Sequence, residues 1–164
     1  MSVQTKEAVV ERYFEEFLHK KSIDAVGELI AENFYIIDPV APTPKLDQEE
    51  FKQFVVQLRT MFPDLNFKIL KTEPKGSKVV AYWKADGSHT GQFAGVKPKG
   101  QRLYVSGSHT FSIDNTGKVQ NVRVRINPFG IIRAVGIEGN LKLILFNLSR
   151  LKRGVQKWLS KRNR

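Results

Sequence analysis

Apolar residues recur at three- and four-residue steps over the first third of the chain and switch to alternation after residue 65. Residues 5–20 carry Val9, Val10, Tyr13, Phe14, Phe17 and Leu18 as one helical stripe, with Thr5 at the N-cap position and Glu7 in the first turn. Ser22 is placed to cap a second helix whose inner face is Ile23, Val26, Leu29 and Ile30. A short extended run from Asn33 to Asp38 follows, and Pro39, Pro42 and Pro44 then force a loop, since proline keeps the preceding residue out of helix. Asp47, with Glu50 three positions on, forms a capping-box pattern at the head of a third helix that turns Phe51, Phe54, Val55 and Leu58 toward the core and ends at Phe62-Pro63-Asp64.

The alternation beyond residue 65 predicts strands over 66–73, 77–88, 101–114 and 118–127, punctuated by Gly76, Gly100 and the turn Asp114-Asn115-Thr116-Gly117. Three helices followed by a meander of long strands predict an α+β fold, with N-terminal helices packed on one face of an antiparallel-rich sheet. Pro128 starts a short helical segment to about Gly136, and residues 140–160 form one more helix.

Composition narrows the function classes. A chain of 164 residues suits one domain with an appendage, and 41% hydrophobic with 26% charged residues is a globular balance. The absence of cysteine excludes disulfides, thiolate metal sites and thiol catalysis. No run approaches the roughly 20 apolar residues of a spanning helix. The opening Met1-Ser2-Val3-Gln4-Thr5-Lys6-Glu7 has no apolar core of a signal peptide, so the expectation is a soluble, cytoplasmic protein.

The net charge of +11 is unevenly placed. Residues 137–164 hold eight basic side chains against the acid Glu138, so most of the excess lies there and the body, residues 1–136, is mildly basic. Within that tail Leu141, Ile144, Leu145, Leu148, Leu151, Val155, Trp158 and Leu159 fall on one helical stripe. Lys142, Arg150, Lys152, Arg153 and Lys157, together with Trp158, would contact an anionic membrane surface, each cation contributing on the order of 1 kcal/mol there. Packing of the stripe on its own domain or on a partner chain explains the pattern equally well. Nucleic acid ranks below both, because one Trp among the cations offers no stacking platform.

Several motifs, taken in order, resemble a known family: Phe62-Pro63-Asp64-Leu65, Tyr82-Trp83, Gly87-Ser88-His89-Thr90-Gly91-Gln92-Phe93, Gly95, Pro98-Lys99-Gly100, Gly107, Phe111, Gly117-Lys118-Val119 and Gly130-Ile131-Ile132-Arg133. Together they are similar to the SnoaL-like polyketide cyclases (ester cyclases) of the nuclear transport factor 2-like superfamily, over about residues 5–136. The resemblance implies a cone of helices and a curved sheet around an apolar pocket, dimerisation through the sheet, and catalysis without metal or cofactor. It also implies a general acid/base Asp near the end of the last strand, closing a ring by an aldol step. Asn127 stands at that position, and an amide does not exchange a proton near neutral pH. The expectation is therefore a small-molecule pocket protein over residues 1–136, binding a mostly apolar or amphipathic ligand and cyclising or isomerising it if another group supplies the acid/base function. The alternative is a non-catalytic peripheral membrane or scaffold protein acting through residues 137–164.

Other candidates come from the residues themselves, and Asp38 from the resemblance. His89, where a long strand meets a Gly-rich turn, either presents an imidazole to the pocket mouth or bonds only the turn. His109 alternates with Gly107 and Phe111, so all three share a strand face; if Phe111 faces the pocket, His109 does too. Asp38, before the Pro-rich loop, matches a carboxylate often found beside the family's pocket; it serves as acid or base there, or merely starts a turn. Trp83, Tyr82, Phe93, Tyr104 and Phe111 line a pocket for a flat ligand or pack the core. His19 is expected in solvent. Three dispersed His without metal-ligand spacing predict no metal site. On the last strand Val122, Val124 and Ile126 oppose Asn121, Arg123, Arg125 and Asn127. Burial favours the valine face inward, while a site at Asn127 would bring the arginines in, unless a bulge precedes Pro128.

Overall fold

The computed structural model describes residues 5–20, 22–41, 43–92 and 97–127. Thr5 caps α1 (Lys6–Tyr13) by accepting from the Ala8 amide at 3.2 Å. The stripe then continues as a π-helical segment, Phe14–His19, where its spacing predicts plain α-helix. A wider turn brings residues five apart onto one side. Tyr13 and Leu18 thus both reach the interior cavity, and His19, exposed as expected, bonds the Phe67 carbonyl and Glu15.

Ser22 caps no helix. Its hydroxyl donates to the Asp24 carboxylate and accepts from the Asp24 amide, closing a local turn, a bond that competes with helix. The second helix, α2, is the single turn Val26–Leu29 without a side-chain cap. Ile30 leaves it for β1 (Ile30–Ile37), longer than the extended run read from the sequence. α3 (Gln48–Met61) makes both capping-box bonds, each 2.9 Å, between Asp47 and Glu50.

β2 (Asn66–Lys75), β3 (Lys78–Ser88), β4 (Arg102–Ile113) and β5 (Val119–Ile126) form the antiparallel meander, each strand within two residues of its predicted ends. Gly117, at φ +84°, closes the β4–β5 turn, in which the Asp114 carboxylate accepts from the Thr116 and Lys118 amides. The strand order is β1-β5-β4-β3-β2, and β1 runs parallel to β5, so the sheet is mixed. Register shifts at Ile69/Lys71, at Ser112/Ile113 and within β1 bend it. Helices cover its concave face and bury Val79, Ala81, Trp83, Ala85, Phe111, Val122 and Val124. Tyr13 lies at the centre of this core, edge-on to Phe17 and Phe111 at 5.0 and 5.1 Å and stacked on Phe51 at 6.0 Å.

Among the described residues no helix is long and apolar enough to cross a membrane. The segment from Pro128, the helix expected over 140–160 and the boundary at 136/137 lie outside the described residues.

Candidate functional site

The α3 stripe that the capping box starts places Phe51, Phe54, Val55 and Leu58 opposite the inward side chains of β3, β4 and β5. The two surfaces do not close on each other. They leave a cavity of about 80 Å³, also walled by Ile36, Val40, Val105, Val124 and Ile126. One ordered water needs roughly 10–15 Å³, so a few waters or a compact ring fit there. Four polar side chains interrupt the apolar lining: Tyr13, Asp38, Trp83 and His109.

Asp38 follows the last residue of β1 and accepts from the Val40 amide at 2.9 Å, which starts the turn and holds the carboxylate. It is 6% exposed. Tyr13 is fully buried, and burial, with the nearby Asp38 charge second, pushes its phenol far above the usual range, so it keeps its proton. Burial lowers the His109 pKa to about 3, leaving the ring neutral. Its Nδ1 accepts from Trp83 Nε1 at 2.7 Å. Trp83 pairs with Gly107 across β3 and β4, and its indole lies over that glycine: a Cβ on Gly107 would stand 2.7 Å from indole Cζ2 and run into the Arg125 carbonyl.

Of the residues singled out from the sequence, Asp38, Trp83 and His109 come together in this cavity. His89 does not line it. That side chain is buried against the Phe62 ring at 5.3 Å, and its backbone bonds Gln101 and Gly100, clasping the loop after β3; burial lowers its pKa too. Phe111 sits deeper in the core, stacked on His109 at 5.8 Å. Tyr104 is 65% exposed on the opposite sheet face, with Arg102 over its ring. Asn127 is exposed and does not line the cavity; its amide bonds the Ser106 carbonyl at 2.9 Å, beside a shallow depression with Tyr82, Ser108 and Arg125. Pairing is regular from Phe111–Val122 to Gly107–Ile126, so no bulge turns the strand and Arg123 and Arg125 point outward. Phe93, Lys142, Arg150, Lys152, Arg153, Lys157 and Trp158 lie outside the described residues. Among the described residues no cluster of His, Asp and Glu converges in a metal-binding arrangement.

Tyr13 is the polar residue of the cavity that the sequence places only in a core stripe. One signal was available: a phenol among Val and Phe must find a polar neighbour once buried.

The chain matches the model of the SnoaL-like polyketide cyclase family over residues 8–135. No curated protein matches it significantly. A provisionally named polyketide cyclase from Acidithiobacillus ferrooxidans superposes with a TM-score of 0.69 at 24% identity, covering 82% of this chain and 97% of its own. A provisionally named SnoaL-like polyketide cyclase from Jannaschia sp. gives 0.69 at 23% identity, covering 79% and 90%. An NTF2-like protein of unknown function from Burkholderia pseudomallei gives 0.65 at 14% identity, covering 80% and 98%. At these identities the likeness is one of fold. With helices packed on a curved mixed sheet and the family model spanning nearly all of that domain, the chain belongs to the SnoaL-like polyketide cyclase family, with the nuclear transport factor 2-like fold.

Proposed function

We propose that the chain binds a mostly apolar small molecule bearing a carbonyl group and cyclises or isomerises it by cofactor-free proton transfer, with Asp38 as general base. The observation that carries this reading is a carboxylate 6% exposed in the wall of an otherwise apolar cavity, beside a protonated phenol and a neutral imidazole. Asp38 takes the proton from the carbon next to the carbonyl, and the electron pair moves onto the carbonyl oxygen as an enolate. A neutral donor at the wall stabilises that oxygen. Where the ligand carries a double bond conjugated with that enolate, return of the proton to the far carbon of the double bond gives an isomer. Attack on a second carbonyl of the same molecule gives a ring and an alkoxide, which takes the proton back from Asp38. In this reading the base lies at the end of β1, and the amide at Asn127 costs nothing.

Positioned general base catalysis contributes typically 10²–10⁴-fold. Native mass spectrometry of the purified full chain identifies a co-purifying ligand, which then serves as the substrate lead. Asp38→Asn is expected to lower turnover at least 100-fold while ligand affinity stays within about threefold. Turnover that survives Asp38→Asn refutes the assignment, and a gain of turnover in Asn127→Asp moves the base to the strand end.

The outer sheet face, with Leu70 52% and Tyr104 65% exposed, supports a homodimer formed through the sheet. A second reading rests on the charge and amphipathic spacing of residues 137–164: a basic helical extension that brings the domain to an anionic membrane surface.

A further inference from the structure

An indole has one polar atom, an N–H that donates and never accepts. The Trp83 indole donates at 2.7 Å to His109 Nδ1, which must therefore be the unprotonated nitrogen. In a neutral ring the one proton then sits on Nε2. Phe14 and Phe111 lie 5.2 and 5.8 Å from the imidazole and pack it in place. Nδ1 is engaged, so Nε2–H is the part of the ring left to meet a ligand. Gly107 makes the contact possible. It is the cross-strand partner of Trp83 and lies two residues before His109 on the same face, and its missing Cβ leaves the space over β4 that the indole occupies.

We propose that Gly107, Trp83 and His109 form a positioning device that fixes His109 as the Nε2–H tautomer, so that the cavity offers a hydrogen-bond donor and selects ligands with an acceptor oxygen, a ketone or ester carbonyl. His109 is then a donor to the oxygen that becomes the enolate, and not a second base beside Asp38. Trp83 acts through His109 and is a positioning residue. The titratable groups that share the cavity with the imidazole are Tyr13, whose ring lies 6.3 Å away, and Asp38. The tautomer stands on its own geometry, while the ligand class rests on the cavity being the binding site proposed above.

Long-range proton–nitrogen correlation on the ¹⁵N-labelled full chain reads the tautomer, with the His109 signals assigned by their loss in His109→Gln. A pyridine-like Nδ1 and a pyrrole-like Nε2, unchanged between pH 5 and pH 8, are expected. A protonated Nδ1, an averaged pair of signals or a titrating ring overturns the proposal. Trp83→Phe keeps a ring but removes the donor, and is expected to average the two nitrogen signals. A Trp83→Phe chain that folds and keeps the wild-type pattern also overturns it; if that chain does not fold, the wild-type spectrum decides. The ligand class is tested with cyclopentanone against methylenecyclopentane, single small rings on the scale of the cavity. The ratio of ketone to hydrocarbon affinity is expected to fall about fivefold in His109→Phe, the size of one net hydrogen bond. An unchanged ratio refutes donor selection and leaves the cavity reading standing. Failure of both probes to bind the wild-type chain refutes the cavity reading, and the ligand class with it.

Discussion

Burial holds the His109 pKa at about 3 in the folded chain, against about 6.5 when the ring is exposed. Between these values the unfolded chain binds a proton that the folded chain refuses, so stability is full above pH 6.5 and falls as the pH drops through that window. The His109 share of the loss is about 2 kcal/mol by pH 5. His89, also lowered by burial, acts in the same direction. Asp64 and Asp114, held low by hydrogen bonds from Ser88 and Thr116, add their loss further down, in the carboxylate range. Urea midpoints at pH 7.5 and pH 5.0 should therefore differ clearly in the wild type and less in His109→Gln; equal differences in the two chains would mean that the imidazole is not buried neutral. Asp38 and His109 were legible as candidates because one matches a carboxylate position of the resembled family and the other alternates with Phe111. Tyr13 was not, because its stripe reads the same whether the phenol ends in solid core or at a cavity wall. Asn127 shows the converse: a motif position names a residue but does not say on which side of the strand its side chain stands.

The third helix shows how local chemistry carries an element. Asp47 and Glu50 exchange side-chain-to-backbone bonds at 2.9 Å, and the apolar stripe that follows builds one wall of the cavity. Asp47→Ala removes half of the box and should cost about 1 kcal/mol. For a chain of this size that is a fall of about 2–4 °C in the melting midpoint, measurable by calorimetry; an unchanged midpoint would show that tertiary packing alone holds the helix start. Thr5, Asp47 and the Asp114–Gly117 turn act within a few residues, so they were readable in advance. Ser22 has the right residue type but bonds Asp24, since a hydroxyl satisfies whichever amide is nearer. The parallel pairing of β1 with β5 joins residues about ninety positions apart, Ile30 with Val119 and Ile36 with Val122. No local periodicity encodes such a pair.

At the scale of the whole molecule the charge is polarised, with the +11 concentrated beyond residue 136. If that segment meets anionic lipid, the full chain should co-sediment with vesicles containing phosphatidylserine, and not with neutral ones. Salt should release it, because screening shortens the reach of each cation. Changing Arg150, Lys152, Arg153 and Lys157 to Glu in the full chain should abolish the co-sedimentation; equal pelleting of the two chains would end the membrane reading. The sequence by itself determined the first and third helices, the four meander strands, most of their ends and the family, because period, caps and turns depend on residues close along the chain. It also limited the chemistry, since a chain without cysteine makes no thiolate. Only the tertiary structure decided that Asp38, Tyr13, Trp83 and His109 share one cavity while Asn127, Tyr104 and the arginines of β5 face away. That choice is made by which face of a bent sheet the helices cover, and by pairings across long stretches of chain.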